Sequence, residues 1–110
     1  MNTQYKKGVV ELCILCFLNK KDSYGYDVSE QLSKRIGLSD GAVYPILRKL
    51  KNDGLLNTYL SEESGGPPRK YYSITEYGRE EFIKAEKEWV TFVNAVAEIL
   101  KEERNDHENG

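Results

Sequence analysis

Ser39-Asp40-Gly41-Ala42-Val43-Tyr44-Pro45-Ile46-Leu47-Arg48-Lys49-Leu50 is the stretch on which the fold turns. Wound at about 100° per residue, it gathers Val43, Ile46, Leu47 and Leu50 on one side. The opposite side presents Gly41, Tyr44, Pro45, Arg48 and Asn52, with Lys49 and Lys51 on its flanks. The pattern predicts a helix over 40–52, packed on one face and aromatic and cationic on the other, stopping at Asp53-Gly54. Pro45 removes one backbone hydrogen bond. The loss is ~3 kcal/mol in a helix interior and smaller near the N-terminus, so a slight kink is expected.

Upstream, Ser23 is placed to cap a shorter helix whose inward positions are Tyr24, Val28, Leu32 and Ile36. Gly37 ends it, because glycine accepts the left-handed conformation common just past a helix. The next helix starts at Ser39 or Asp40, so the two form a helix-turn-helix. Downstream, residues 55–61 and 70–74 read as strands rich in Leu, Thr and Tyr. The turn-forming Glu62-Glu-Ser-Gly-Gly-Pro-Pro-Arg69 joins them into a hairpin with an extended tip, a wing. The predicted fold is mainly α with a small β-hairpin, a winged helix-turn-helix of the α+β class.

The flanks supply two further helices. Val9, Val10, Leu12, Cys13, Ile14, Leu15, Phe17 and Leu18 are apolar on nearly every face, so that helix needs cover from its own domain and from a partner. Thr75 is a credible N-cap for the last helix, with Glu76, Glu80 and Glu81 in its first turns. Phe82, Ala85, Trp89, Phe92, Val96 and Ile99 then recur at spacings of 3, 4, 3, 4 and 3, the seam of a helix that pairs with another helix. Ile83, Val90, Val93, Ala97 and Leu100 widen it into a second apolar face. The division expected is 1–74 as a winged helix-turn-helix DNA-binding domain, 75–104 as a dimerisation helix, and 105–110 as a frayed polar tail.

Composition narrows the function. The chain has 110 residues, 39% apolar and 31% charged, enough for one soluble domain. Its longest apolar run, over 12–18, falls short of the ~20 residues that span a bilayer. Lys6 and Lys7 precede that run, but no small-residue cleavage site follows, so a helix within the fold explains it better than a signal peptide and a cytoplasmic location is expected. Net charge is -2, unevenly spread: residues 1–74 hold eleven Lys or Arg against eight Asp or Glu, and residues 75–110 five against ten. The basic part suits nucleic acid.

Catalytic and metal constellations are not in evidence. The single histidine, His107, lies in the tail, and two cysteines cannot close a structural zinc site. Gly65-Gly-Pro-Pro lacks the spacing of a phosphate-cradling loop. No enzyme, cofactor or metal is expected. Cys13 and Cys16 stand in a C-x-x-C spacing inside an apolar helix. They read as two small packed hydrophobes, with a redox-sensing pair as the alternative.

Five pieces taken in order resemble one family: Tyr24-Gly25-Tyr26-Asp27, Ala42-Val43-Tyr44-Pro45-Ile46-Leu47, Leu50-Lys-Asn-Asp-Gly-Leu55, Gly65-Gly-Pro-Pro-Arg-Lys-Tyr-Tyr72 and Ile74-Thr-Glu-Tyr-Gly78. Together they resemble the PadR family of bacterial transcriptional regulators over roughly residues 5 to 100. The single C-terminal helix is similar to the smaller PadR subfamily. The resemblance implies a homodimer in which the last helix pairs with the first helix of the partner subunit. It also implies repression of nearby genes, often for transporters or detoxification, relieved by a small-molecule effector. In multidrug-sensing members a tryptophan of the last helix sandwiches a flat aromatic ligand at the dimer centre. Trp89 matches that position, with Phe92, Val93 and Val96 one and two turns on and Leu12 and Cys16 as facing walls. Val93 is not acidic as in those members, so a preference for drug cations does not carry over.

Site expectations follow from the residues themselves. The 40–52 helix is expected to enter the major groove, with Arg48 donating to a guanine edge and Tyr44 reaching a phosphate or a thymine methyl. Gly41 and Ala42 let its start come close to the backbone, where helix N–H groups favour phosphate, and Ser39 and Pro45 are assigned to the same DNA-binding surface. Lys49, Lys51, Arg69 and Lys70 position the protein on phosphates or a narrow groove. Lys34, Arg35, Lys6 and Lys7 read equally as phosphate contacts or solvated helix ends. For Trp89 a dimer anchor and a ligand-stacking wall are compatible readings, and the seam from Phe82 to Ile99 is assigned to the dimer interface. The partners expected are double-stranded DNA with two half-sites, a second copy and a small-molecule effector. The alternative is a winged-helix module that binds protein without specific DNA binding.

Overall fold

The computed structural model describes residues 3–62 and 65–109, with side chains over 8–62 and 65–104. Its elements in chain order are α1 (Thr3–Lys20), β1 (Ser23–Tyr24), α2 (Gly25–Ile36), α3 (Asp40–Asn52), β2 (Leu56–Ser61), β3 (Arg69–Ile74) and α4 (Glu76–Asn109). Helices therefore dominate, with one small antiparallel sheet, as the periodicities predict.

The core forms where the apolar stripes of these elements converge. Ile14 of α1, Val43 and Leu47 of α3 are fully shielded, and Val28, Leu32, Leu56 and Tyr72 close around them. Truncating a residue so placed, such as Leu47→Ala, costs ~2–5 kcal/mol through lost transfer energy and the cavity left behind. On α1 the stripe of Val10, Ile14, Leu15 and Leu18 is buried, while Leu12, Cys13, Cys16 and Phe17 are only partly covered. That second stripe is the one for which cover from a partner was expected.

The turn of the helix-turn-helix is built at Gly37. Its φ of 70° is left-handed, and its N–H donates to the Ser33 carbonyl at 3.1 Å, ending α2 as expected. Ile36, expected to point inward, is instead 49% exposed, because it is the final residue of α2 and the chain turns away there. Ser23 was expected to cap α2. In the structure Ser23 and Tyr24 form β1, opposite Tyr72 and Tyr71 of β3, and Tyr24 takes the N-cap position. A two-residue strand has no period to read, so tertiary pairing overrode the local capping signal.

The hairpin pairs β2 with β3 from Leu56↔Ile74 to Ser61↔Arg69, giving the sheet order β1-β3-β2. One face looks into the core through Leu56 and Tyr72. The other carries a cross-strand row of tyrosines, Tyr24, Tyr71 and Tyr59, with ring centroids 6.1 Å and 5.7 Å apart. Tyr59 donates its hydroxyl to Asp22 at 2.7 Å, and the Arg69 guanidinium sits 5.0 Å from the Tyr24 ring centroid. These contacts fasten the wing to β1 and so to the start of α2.

Thr75 caps α4 as predicted. Its Oγ1 accepts the Gly78 N–H at 2.8 Å while donating toward the Gly54 and Leu55 carbonyls at 2.8 and 3.1 Å. The first turns then pack so closely that a Cβ on Gly78 would run into the Leu55 carbonyl and stand 2.9 Å from Ile74 Cγ1. Phe82, assigned above to the dimer seam, is 6% exposed and belongs to the protomer's own core, because this end of α4 lies on the domain. Beyond it α4 leaves the domain. Its 34 residues span about 51 Å at 1.5 Å per residue, and the molecule measures 64 × 27 × 21 Å. The helix also passes Arg104, where a frayed tail was expected, since Lys, Glu and Arg are good helix formers. No described helix is long and apolar enough to cross a membrane.

Candidate nucleic-acid interface

The amphipathic pattern of α3 decides what it shows to solvent. With Val43, Leu47 and Leu50 buried and Ile46 half-buried, the exposed positions are Asp40, Gly41, Pro45, Arg48, Lys49, Lys51 and Asn52. Ser39 is the exposed N-cap, and its side chain makes no capping hydrogen bond. A Cβ added at Gly41 would meet nothing within 4 Å, so the protein itself does not require glycine there. Ala42 is half-buried.

Tyr44 is placed differently from the sequence expectation. It is half-buried and lines a cleft of about 220 Å³ with Tyr24, Gly25, Tyr26, Arg48, Lys70 and Tyr72. Gly25 makes the close packing feasible, since a Cβ there would lie 3.2 Å from Tyr72 Cε2 and 3.5 Å from Tyr44 Cε1. Burial, reinforced by neighbouring tyrosines and Asp40, pushes the Tyr44 phenol above its ordinary range. Burial raises Tyr72 as well, with the Arg48 charge pulling the other way. Both hydroxyls are therefore neutral donors at neutral pH. The cleft joins a cation from α3, Arg48, to a cation from the wing, Lys70.

Lys49 faces elsewhere. Its ammonium donates to Glu11 Oε1 at 3.2 Å and lies 3.3 Å from Asp53 Oδ2. The Glu11 bond, then the Asp53 bond, raise its pKa above the ordinary lysine value. This lysine ties α3 to α1, so its first partners are carboxylates of its own chain. Both pairs are partly exposed and worth only a fraction of a kcal/mol, ~0.2–1 each. Lys34 is likewise paired, with Glu30 at 2.7 Å, while Arg35 stands 5.9 Å from the Phe17 ring centroid. The side chains of Lys6 and Lys7 lie outside the described residues, as do Glu63 and Ser64 of the wing tip.

The second expected site lies along α4. Trp89 is half-buried, and Phe92 is 49%, Val93 38%, Val96 36% and Ile99 59% exposed. Ile83, Val90 and Leu100 of the second apolar face are exposed as well, and Ala85 is half-buried. The Trp89 and Phe92 rings are 6.4 Å apart. Leu12 and Cys16 are half-buried on α1, packed against the protomer core, and Cys16 borders a separate cavity with Phe17, Lys20, Lys21 and Arg35. Both cysteines are free thiols. Burial, then the neighbouring Cys16, pushes the Cys13 thiol up, which keeps it protonated at neutral pH. Among the described residues no group of His, Cys, Asp and Glu could hold a metal ion.

Sequence reasoning missed three features. The part-buried Ser29–Asp40 hydrogen bond joins positions 11 apart and leaves no periodic mark. Tyr26 of α2 and Tyr72 of β3 share the Arg48–Lys70 cleft, a meeting of three elements that no local pattern announces. The Glu11–Lys49 pair links residues 38 apart, and only the packing of α1 on α3 brings them together.

Comparison with known proteins agrees with this fold. The transcriptional regulator PadR-like family matches residues 14–84. The crystal structure of a PadR-like transcriptional regulator from Bacillus cereus strain ATCC 14579 superposes with a TM-score of 0.81 at 35% identity, covering 89% of this chain and 97% of that one. The negative transcriptional regulator PadR of Bacillus subtilis (strain 168) is 24% identical over 99 residues, 86% of this chain and 52% of that protein. The crystal structure of Bacillus subtilis PadR in complex with operator DNA matches at 25% identity with a TM-score of 0.61, covering 69% of this chain and 45% of that one. With the fold, the wing and most of the chain's length in agreement, this protein belongs to the PadR-like family of transcriptional regulators.

Proposed function

We propose that this chain is a homodimeric repressor that binds operator DNA through α3 and the wing and leaves it when a planar aromatic ligand enters beside Trp89. The observation that carries the DNA reading is the cleft between α3 and the wing. Arg48 and Lys70 converge there from two elements, next to an open α3 face. A related PadR, crystallised with operator DNA, supports it. The negative regulation named for the Bacillus subtilis relative supports repression.

The dimer reading rests on α4. Phe92, Val93, Val96, Ile99 and Leu100 form an apolar surface that one protomer leaves uncovered. A face of that size on a helix leaving its domain is what a second copy would bury. Pairing the dimer through α4 fixes the spacing of two recognition helices, matching two half-sites about one helical turn of DNA apart. A ligand wedged at Trp89 and Phe92 changes that spacing and so DNA affinity, a coupling of ~1–3 kcal/mol.

The experiment is a gel shift of the purified protein on its own upstream DNA at two salt concentrations. Binding should weaken steeply with salt as phosphate contacts release counterions. Absence of binding at low salt overturns the DNA reading in favour of a protein-binding winged helix. Trp89 is the only tryptophan, so its fluorescence reports on the ligand site. Planar compounds that release DNA while leaving the emission unchanged would defeat the stacking model.

A further inference from the structure

We infer that Leu60 is a DNA-contacting residue, an apolar prong on the wing that packs on deoxyribose edges in the minor groove beside the site read by α3; this rests on the DNA-binding reading above. Leu60 is 69% exposed, more than any other large exposed hydrophobic among the described residues. Its exposure does nothing for the protomer, and its placement is specific.

Strand alternation puts Leu56, Thr58 and Leu60 on one face of β2. Their partners across the ladder are Ile74, Tyr72 and Lys70. Near the domain this face is core, with Leu56 1% and Tyr72 4% exposed. Two residues further out it has left the core, and it continues on the side where the cleft lies. Lys70, directly opposite Leu60, lines that cleft with Tyr44 and Arg48. Opposed side chains on a ladder stand about 4.5–5.5 Å apart at Cβ. Leu60 therefore stands on the inner face of the wing, one cross-strand step from a cation that shares a cleft with Arg48 of α3.

That combination selects the partner. A protein surface complementary to leucine would have to accept the adjoining ammonium and the guanidinium across the cleft. The rim of a minor groove offers C–H surface of the sugars flanked by phosphates, an apolar strip with anions beside it. Leucine then covers sugar while Lys70 meets phosphate, and apolar side chains are recurrent tools for engaging that groove.

The test is an anisotropy titration of the full chain on its own upstream duplex over a series of salt concentrations, paired with hydroxyl-radical footprinting, which reads the exposure of deoxyribose. Leu60→Ser should bind about tenfold more weakly, equivalent to ~1.4 kcal/mol. Its salt dependence should match wild type, because no phosphate contact is lost. Lys70→Ala should instead lower the salt slope by about one. Leu60→Met should retain affinity, and Leu60→Ser should lose sugar protection at one minor-groove step in each half-site while melting like wild type. Wild-type binding with Leu60→Ser equal to it in affinity and footprint overturns the assignment and leaves DNA binding standing. A change of sedimentation in Leu60→Ser also overturns it, by assigning the residue to a protein contact. Failure of the wild type to bind any duplex at low salt removes both readings.

Discussion

Ser29 Oγ donates to Asp40 Oδ1 at 2.8 Å, fastening the fully buried middle of α2 to the first residue of α3. A helix-turn-helix presents its second helix at a fixed angle, and this bond pins that angle from within. Asp40 also sits favourably at the positive end of the α3 dipole. Ser29→Ala removes the donor while leaving Asp40 able to reach water. The expected cost is about 1 kcal/mol, a hydrogen-bond loss offset in part by the better helix propensity of alanine. In urea the midpoint should fall with the slope unchanged. An unshifted midpoint would mean that packing alone sets the angle.

Gly41 separates stability from function. Nothing lies within 4 Å of a Cβ built there, and its φ is not positive, so alanine fits the folded helix. Gly41→Ala should therefore stabilise the protein by about 0.5–1 kcal/mol through helix propensity and unfolded-state entropy. If the start of α3 approaches DNA as closely as proposed, the same methyl intrudes on that contact. Higher thermal stability with weaker operator binding is the expected pair of results. Stability and affinity rising together would place the DNA away from Gly41.

Tyr72 gives a titration that reports on Arg48. A phenol held above its unfolded value of ~10 favours the fold, an advantage fully present below pH ~10 and lost as pH rises through the raised folded value. Burial raises Tyr72 and Arg48 holds the rise back. In an alkaline absorbance titration of the folded protein, Tyr72→Phe should remove a late-ionising phenol from the eight tyrosines. Arg48→Ala should move that phenol later still. No movement would show that the guanidinium points away from the cleft, toward a base edge.

How legible the protein is in its sequence depends on the range of the interactions. Local signals read correctly: Val43 and Leu47 announce the inner face of α3, Gly37 its turn, and Thr75 the start of α4. Each of these acts within a few residues through helical period or backbone conformation. Features that needed distant chain segments did not read. Ser23 looks like a cap until Tyr72 pairs with it, and nothing near Lys49 in the sequence announces its pairing with Glu11 of α1. Leu60 was read only as a strand residue, because alternation places it on the inner face while the length of β2 carries that face beyond the core.

Phe82 and Ile99 share one heptad seam and should fail in opposite ways. Phe82 is 6% exposed in the protomer core, whereas Ile99 is 59% exposed far along α4. Phe82→Ala should lower the stability of each protomer by ~3–5 kcal/mol, as aromatic truncation in a core does. Ile99→Asp places a charge at an exposed position outside the protomer core, so the winged domain should keep its fold. In a dimer closed through α4 that carboxylate must leave water without a partner, a penalty that pairing cannot absorb. Sedimentation at micromolar concentration should find Ile99→Asp at half the wild-type mass, with DNA affinity lost because two half-sites are no longer bound together. An intact dimer carrying Ile99→Asp would place the interface short of this turn, nearer Trp89 and Phe92.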